Sequence, residues 1–174
     1  MCLILFAYDC HPRYRLVVAA NRDEFYNRPA LPAHFWPDCP NLLAGKDLEK
    51  GGTWMGITTE GRFAALTNYR EPNAVPKERS RGRLVLEYLC SPQSPDRYIN
   101  NLEDGGEGFN GFNFLLGDTQ NLYYYSNREK VLHRIEKGVH GLSNSLLDVP
   151  WPKVGKGKKA LTDCLQSEEI NKEH

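Results

Sequence analysis

The sequence predicts an α+β domain built on antiparallel sheets, and three observations carry that reading. Short runs rich in apolar and β-branched residues come in pairs joined by turn residues. Two helical periodicities fall side by side in the middle of the chain, not between every two strands. Several further strand-like runs then follow one another. Runs of strands and runs of helices, rather than strict alternation, imply antiparallel pairing. The seven or eight strands counted below suffice for two stacked sheets with helices outside. The 174 residues fill one domain, 1–174.

The elements follow in order. Leu3 to Tyr8 is a buried strand, Cys10-His11-Pro12-Arg13 a turn broken by Pro12, and Tyr14 to Ala20 a second strand, so the pair reads as a hairpin. Residues 29–52 hold Pro29, Pro32, Pro37, Pro40, Gly45, Gly51 and Gly52 and read as loop. Thr53 to Thr58 and Arg62 to Thr67 form the clearest hairpin, turning at Thr59-Glu60-Gly61. From Gly82 to Cys90 the spacing of Leu84, Val85, Tyr88 and Leu89 predicts an amphipathic helix. Ser94 as N-cap with Pro95 at the first helical position starts a second helix, to Leu102. Phe112 to Gly117, Leu122 to Ser126, Val131 to Ile135 and a short Val139 to Ser143 read as strands. Trp151 to Gln166 reads as a helix weakened by Gly155 and Gly157. Residues 168–174 carry no core signal, and the chain stops on what reads as the first helix of a new layer, so a C-terminally truncated or alternative product is expected.

Charge and cysteine usage narrow the function classes. The 22 basic and 22 acidic side chains cancel, which argues against a general nucleic-acid or anionic-membrane partner. The opening apolar run is too short to span a bilayer. Cys2, Cys10, Cys39, Cys90 and Cys164 form an odd set without a CxxC pair, so a zinc knuckle is disfavoured and a reducing compartment expected. Cytoplasm is the default location.

Cys2 is the residue with the most chemistry attached. Removal of Met1, favoured by the small side chain that follows, would leave a thiol and a free α-amine on one residue. An amine titrating near pH ~8 can take a proton from a neighbouring nucleophile. The alternative is a small apolar residue in a strand, since cysteine is often buried and inert. The string Asn21-Arg22-Asp23-Glu24 ends the second strand and, in a hairpin, returns beside Cys2. Arg22 could hold a thiolate or a substrate carboxylate and Asp23 could accept from the α-ammonium; alternatively these charges pair with one another. Asn68 and Asn144 each follow a strand and offer amide donors for an oxyanion, or are turn residues; Asn113, inside a strand, is a weaker candidate.

Cys2, Asn21-Arg22-Asp23-Glu24-Phe25, Gly51-Gly52-Thr53-Trp54-Met55-Gly56, Ala64-Ala65-Leu66-Thr67-Asn68-Tyr69-Arg70, Asn110-Gly111-Phe112-Asn113 and Gly141-Leu142-Ser143-Asn144 with Pro150-Trp151 occur in that order. Together they resemble the NRDE family, also called the transport-and-Golgi-organisation protein 2 family, from Cys2 to about Lys153. The resemblance implies a four-layer αββα fold similar to N-terminal-nucleophile hydrolases. It also implies roles in Golgi and secretory organisation, lipid or acyl-CoA homeostasis and haem mobilisation, and cytosolic, mitochondrial or Golgi-related locations. The residues themselves give Cys2, Arg22, Asp23 and Asn144 as the candidate catalytic set, with Asn21, Glu24, Asn68 and Asn113 toward substrate. Where related acylases place an Arg and an Asp a few residues apart, Arg22 and Asp23 are adjacent; aligning on the following aromatic would put Asn21 and Glu24 in those roles.

Three functions compete. The first is an acyl or amide hydrolase that needs no cofactor. The second is a carrier of haem or a lipid-like ligand, with Cys39 of Cys39-Pro40 as a weak iron ligand. The third is a non-catalytic scaffold of the secretory pathway.

Overall fold

The computed structural model describes residues 2–75, 77–102 and 106–166; the terminal segment 168–174 lies outside them. The elements run β1 (Leu3–Tyr8), β2 (Leu16–Asn21), β3 (Ala30–Trp36), β4 (Cys39–Asp47), β5 (Met55–Thr58), β6 (Phe63–Asn68), α1 (Gly82–Leu89), α2 (Pro95–Asn100), β7 (Phe112–Gly117), β8 (Leu122–Ser126), β9 (Leu132–Arg134), β10 (Gly138–Leu142) and α3 (Pro152–Gln166). All strand pairs are antiparallel. The chain is therefore α+β with antiparallel sheets. It divides into two compact units, Met1–Asp23 with Glu136–His174, and Glu24–Ile135.

The first unit joins the two ends of the chain. Its three-stranded sheet has the order β10-β1-β2, so β1 is central. Side chains alternate faces along a strand. On one face Phe6 stacks on His140, its register partner on β10, at 5.2 Å between ring centroids. On the other, Leu5 faces Gly141 in register and α3 lies over both. Gly157 of α3 gives up ~1 kcal/mol of helix propensity, but a Cβ there would come 2.6 Å from the Leu5 side chain. The glycine lets α3 approach the sheet, and Val154 and Leu161 are its buried residues.

The second unit is a seven-stranded sheet in sequential order from β3 to β9. The helical spacing of Leu84, Val85, Tyr88 and Leu89 puts one face of α1 into a core with Leu42, Ala44, Ala64, Leu66, Phe112, Phe114 and Leu116. The Tyr88 hydroxyl donates to the Gly117 carbonyl at 2.8 Å. Burial pushes its pKa up, away from any physiological titration. Arg62 is 9% exposed. It donates to the carbonyls of Tyr88 and Gln93, each at 2.8 Å, and closes the end of α1, as a cation suits a helix C-terminus.

The predicted loop at 29–52 is a correction, because it contains the β3–β4 hairpin and brings the described strands to ten. Proline disfavours a strand interior but is tolerated at edges and irregularities. Pro32 lies on the edge strand β3, where the register shifts between Leu31 and His34. Pro40 lies outside the β4–β5 ladder, which reaches only to Leu42↔Thr58.

Candidate functional site

Cys2 lies immediately before β1 and is half-buried. The β1–β2 register ends at Leu3↔Asn21, one residue short of Cys2 and Arg22. On the other side β10 pairs through Ile4↔Leu142, and the chain continues into Ser143 and Asn144. The Ser143 hydroxyl donates to the Cys2 carbonyl at 2.8 Å and lies 3.4 Å from Asn144 Oδ1. Lys153, in the first turn of α3, donates from Nζ to the same carbonyl at 3.2 Å. Ser143 and Asn144 are buried, Arg22 is intermediate, and Asn21 and Asp23 are exposed. The flanking strands thus bring Cys2, Asn21, Arg22 and Asn144 to one end of this sheet, with Asp23 next in sequence. Burial lowers the pKa of the Lys153 ammonium, while a Cys2 thiolate acts in the opposite direction.

A charged cluster fixes the loop that presents Ser143 and Asn144. Asp148 has φ +57°, a conformation asparagine and aspartate tolerate. Its N–H donates to the Gly141 carbonyl at 2.9 Å, and Gly141 N–H donates back to Oδ1 at 3.0 Å. His140 Nδ1 bonds Oδ2 at 2.7 Å and Lys158 Nζ bonds Oδ1 at 2.6 Å. Burial works against ionising Asp148, but these bonds outweigh it and hold the carboxyl at about 2. The Asp148 bond raises the His140 pKa; burial opposes it and a contact of Nε2 with the Glu136 carbonyl at 3.0 Å adds to it.

The other expected site residues belong to the second unit. Glu24 accepts from the Phe25 N–H at 3.1 Å and lies 3.8 Å from Arg28. Asn68 is exposed at the end of β6, in register with Phe112. Asn113 is fully buried; its amide donates to Thr67 Oγ1 at 3.2 Å and accepts from the Tyr124 hydroxyl at 2.8 Å. That geometry ties three strands together. Cys39 is also a correction, since it forms a disulfide with Cys90, 51 residues away. A disulfide sulfur offers no thiolate to haem iron, so the Cys39 ligand assignment fails in this state. Cys2, Cys10 and Cys164 are thiols. Among the described residues no group of three or more His, Cys, Asp or Glu is placed to hold a metal ion.

The residues that sequence reasoning missed are Ser143, Lys153 and Asp148. Ser143 sits inside the Gly141-Leu142-Ser143-Asn144 motif, and Lys153 is two residues past Trp151. A lysine in the first turn of a helix that has no acidic residue there runs against the helix dipole. That is the signal which could have marked it.

On this antiparallel α+β scaffold the carbonyl of a strand-end cysteine is held by a hydroxyl and an ammonium, with Arg22 and Asn144 on the flanking chain ends. The family described as transport and Golgi organisation 2 matches residues 1–174, and the chain belongs to it. It is 41% identical to the mouse transport and Golgi organization 2 homolog, over 97% of this chain and 66% of that protein. It is 40% identical to the human transport and Golgi organization protein 2 homolog, over 95% of this chain and 65% of that protein. It is 30% identical to the Drosophila melanogaster transport and Golgi organization protein 2, over 91% of this chain and 63% of that protein. The chain spans about two thirds of the length of the curated relatives it matches.

Proposed function

We propose that this chain carries a hydrolase-like cysteine site that acts on acyl thioesters or amides in the service of Golgi and secretory organisation. The single observation behind this reading is the anchoring of Cys2 by Ser143 and Lys153, between the strand ends that carry Arg22 and Asn144. In the reading, loss of Met1 exposes the α-amine, which takes the Cys2 thiol proton. The sulfur bonds to the substrate carbonyl carbon, and the C–S or C–N bond then breaks. The departing thiol or amine collects the proton, and water releases the acyl group from Cys2. Asn144 supplies an amide donor for the oxyanion, Arg22 faces the thiolate or a substrate carboxylate, and Asp23 accepts from the α-ammonium. The four-layer αββα arrangement of the N-terminal-nucleophile hydrolases belongs to the same proposal, as does a place in lipid or acyl-CoA homeostasis.

The test is acyl transfer from a long-chain acyl thioester. Incubation and intact-mass measurement should show one acyl group on the peptide that starts at Cys2. Cys2→Ala should abolish it, and Asn144→Ala should slow acylation by ~10²–10³-fold, the usual effect of losing one oxyanion donor. Acylation that persists in Cys2→Ala overturns the assignment.

A further inference from the structure

We infer that Lys153 is the counter-cation of Cys2, a positioning residue that works with Ser143 to fix the cysteine and to favour its anionic form. The inference rests on the hydrolase-like reading of the site and adds a group to it. Two donors converge on one backbone carbonyl, the Ser143 hydroxyl at 2.8 Å and the Lys153 ammonium at 3.2 Å. One neutral donor would satisfy that carbonyl. The second is a cation, half-buried and placed in the first turn of α3, where the macrodipole disfavours positive charge. Trp151 lies alongside, its ring centroid 5.6 Å from Nζ. Dipole and burial both work against an ammonium at this position, and burial lowers its pKa. The bond to the Cys2 carbonyl holds Nζ beside the residue that carries the sulfur, and a negative charge on that sulfur acts against the lowering. Coupling of this kind is reciprocal. A thiolate that holds Lys153 charged is itself held by Lys153, and a nearby cation is the ordinary means of making a cysteine reactive.

The fold sets this geometry from two directions. Ser143 arrives directly from β10, on a loop pinned at Asp148 by His140 and Lys158. Lys153 arrives from α3, which Gly157 seats against Leu5 of β1, the strand that follows Cys2. Both donors therefore report on the same strand end.

The experiment titrates the rate of Cys2 alkylation by iodoacetamide against pH, with the Cys2 peptide quantified separately from those of Cys10 and Cys164. In Lys153→Met the midpoint should rise by about one pH unit or more, and Lys153→Arg should restore it. An unchanged midpoint in Lys153→Met overturns the inference, as does an equal rise in both variants. A second measurement needs no substitution. In the parent chain with reductively methylated lysines, carbon-13 resonances follow the Lys153 titration before and after alkylation of Cys2. Neutralising the sulfur should lower the Lys153 midpoint, and no change overturns the inference. Neither measurement requires turnover. A chain that passes both yet never becomes acylated loses the hydrolase reading and keeps the counter-cation; acylation with no dependence on Lys153 gives the reverse.

Discussion

Asp148 holds the loop bearing Ser143 and Asn144 with its own N–H and both carboxylate oxygens. Its carboxyl is held at about 2, below its ordinary value of 3.8. A depressed carboxyl contributes stability that is present above 3.8 and lost as pH falls toward 2. The His140 pKa is raised from 6.5. Its contribution is complete below 6.5 and lost as pH rises through the raised value. The pair is therefore strongest between about pH 4 and 6.5. Asp148→Asn keeps the shape and tolerates the same φ but removes the charge. It should lower stability by about 1.5–3 kcal/mol in that window and flatten the acid limb below pH 4, as measured by urea unfolding at a series of pH values. An acid limb as steep in the variant as in the parent would assign that limb to other carboxylates. Nothing near residue 148 in the sequence announces this role. The bond partners His140 and Lys158 are brought to it by β10 and α3, not by local spacing.

At the scale of the elements, local pattern carried most of the fold. The β5–β6 hairpin, both short helices, β7, β8 and α3 stand within a few residues of their expected bounds, because each combines a clear period with a turn or cap signal. The β3–β4 hairpin was illegible because its prolines are permitted only by an edge position and an irregular register, which depend on neighbours. Gly52 has a packing cause. A Cβ on Gly52 would lie 2.6 Å from the backbone carbon of Gly82, where the Thr53 N–H donates to the Gly82 carbonyl at 3.2 Å. Backbone cannot yield as a side-chain tip can. Gly52→Ala should therefore cost about 1–3 kcal/mol, visible as a lower urea midpoint at unchanged slope; a neutral effect would mean that the start of α1 moves freely. The Cys39–Cys90 disulfide was equally hidden, since no short spacing marks it. It joins β4 to the residue after α1. The odd cysteine count had pointed to a reducing compartment, and this pair runs against that expectation. Denatured protein without reductant should titrate three thiols, Cys2, Cys10 and Cys164, and five after reduction. Cys39→Ser should lose about 2–4 kcal/mol. Five thiols at the outset would remove the cross-link from the account.

For the chain as a whole, the candidate site is built from sequence extremes. Cys2 and Ser143 are 141 residues apart, and Cys2 and Lys153 are 151 apart. The hairpin made the nearness of Arg22 to Cys2 legible, because a register needs only its turn. Pairing of β10 with β1 is long-range and left no local trace, so Asn144 was legible only as an amide at a strand end, with nothing to place it beside Cys2, and Lys153 not at all. The same topology places Glu24, Asn68 and Asn113 in the other compact unit, where Asn113 serves the sheet. Among the described residues no helix is long and apolar enough to cross a membrane. Everything proposed for the site depends on Cys2 standing as a reactive chain-start residue. The most direct measurement is intact and peptide mass spectrometry of the purified protein after brief exposure to a limiting electrophilic thiol probe. The account predicts that Met1 is gone and that the probe sits on Cys2 ahead of Cys10 and Cys164. Retained Met1, or label on the other two thiols with Cys2 untouched, would contradict it.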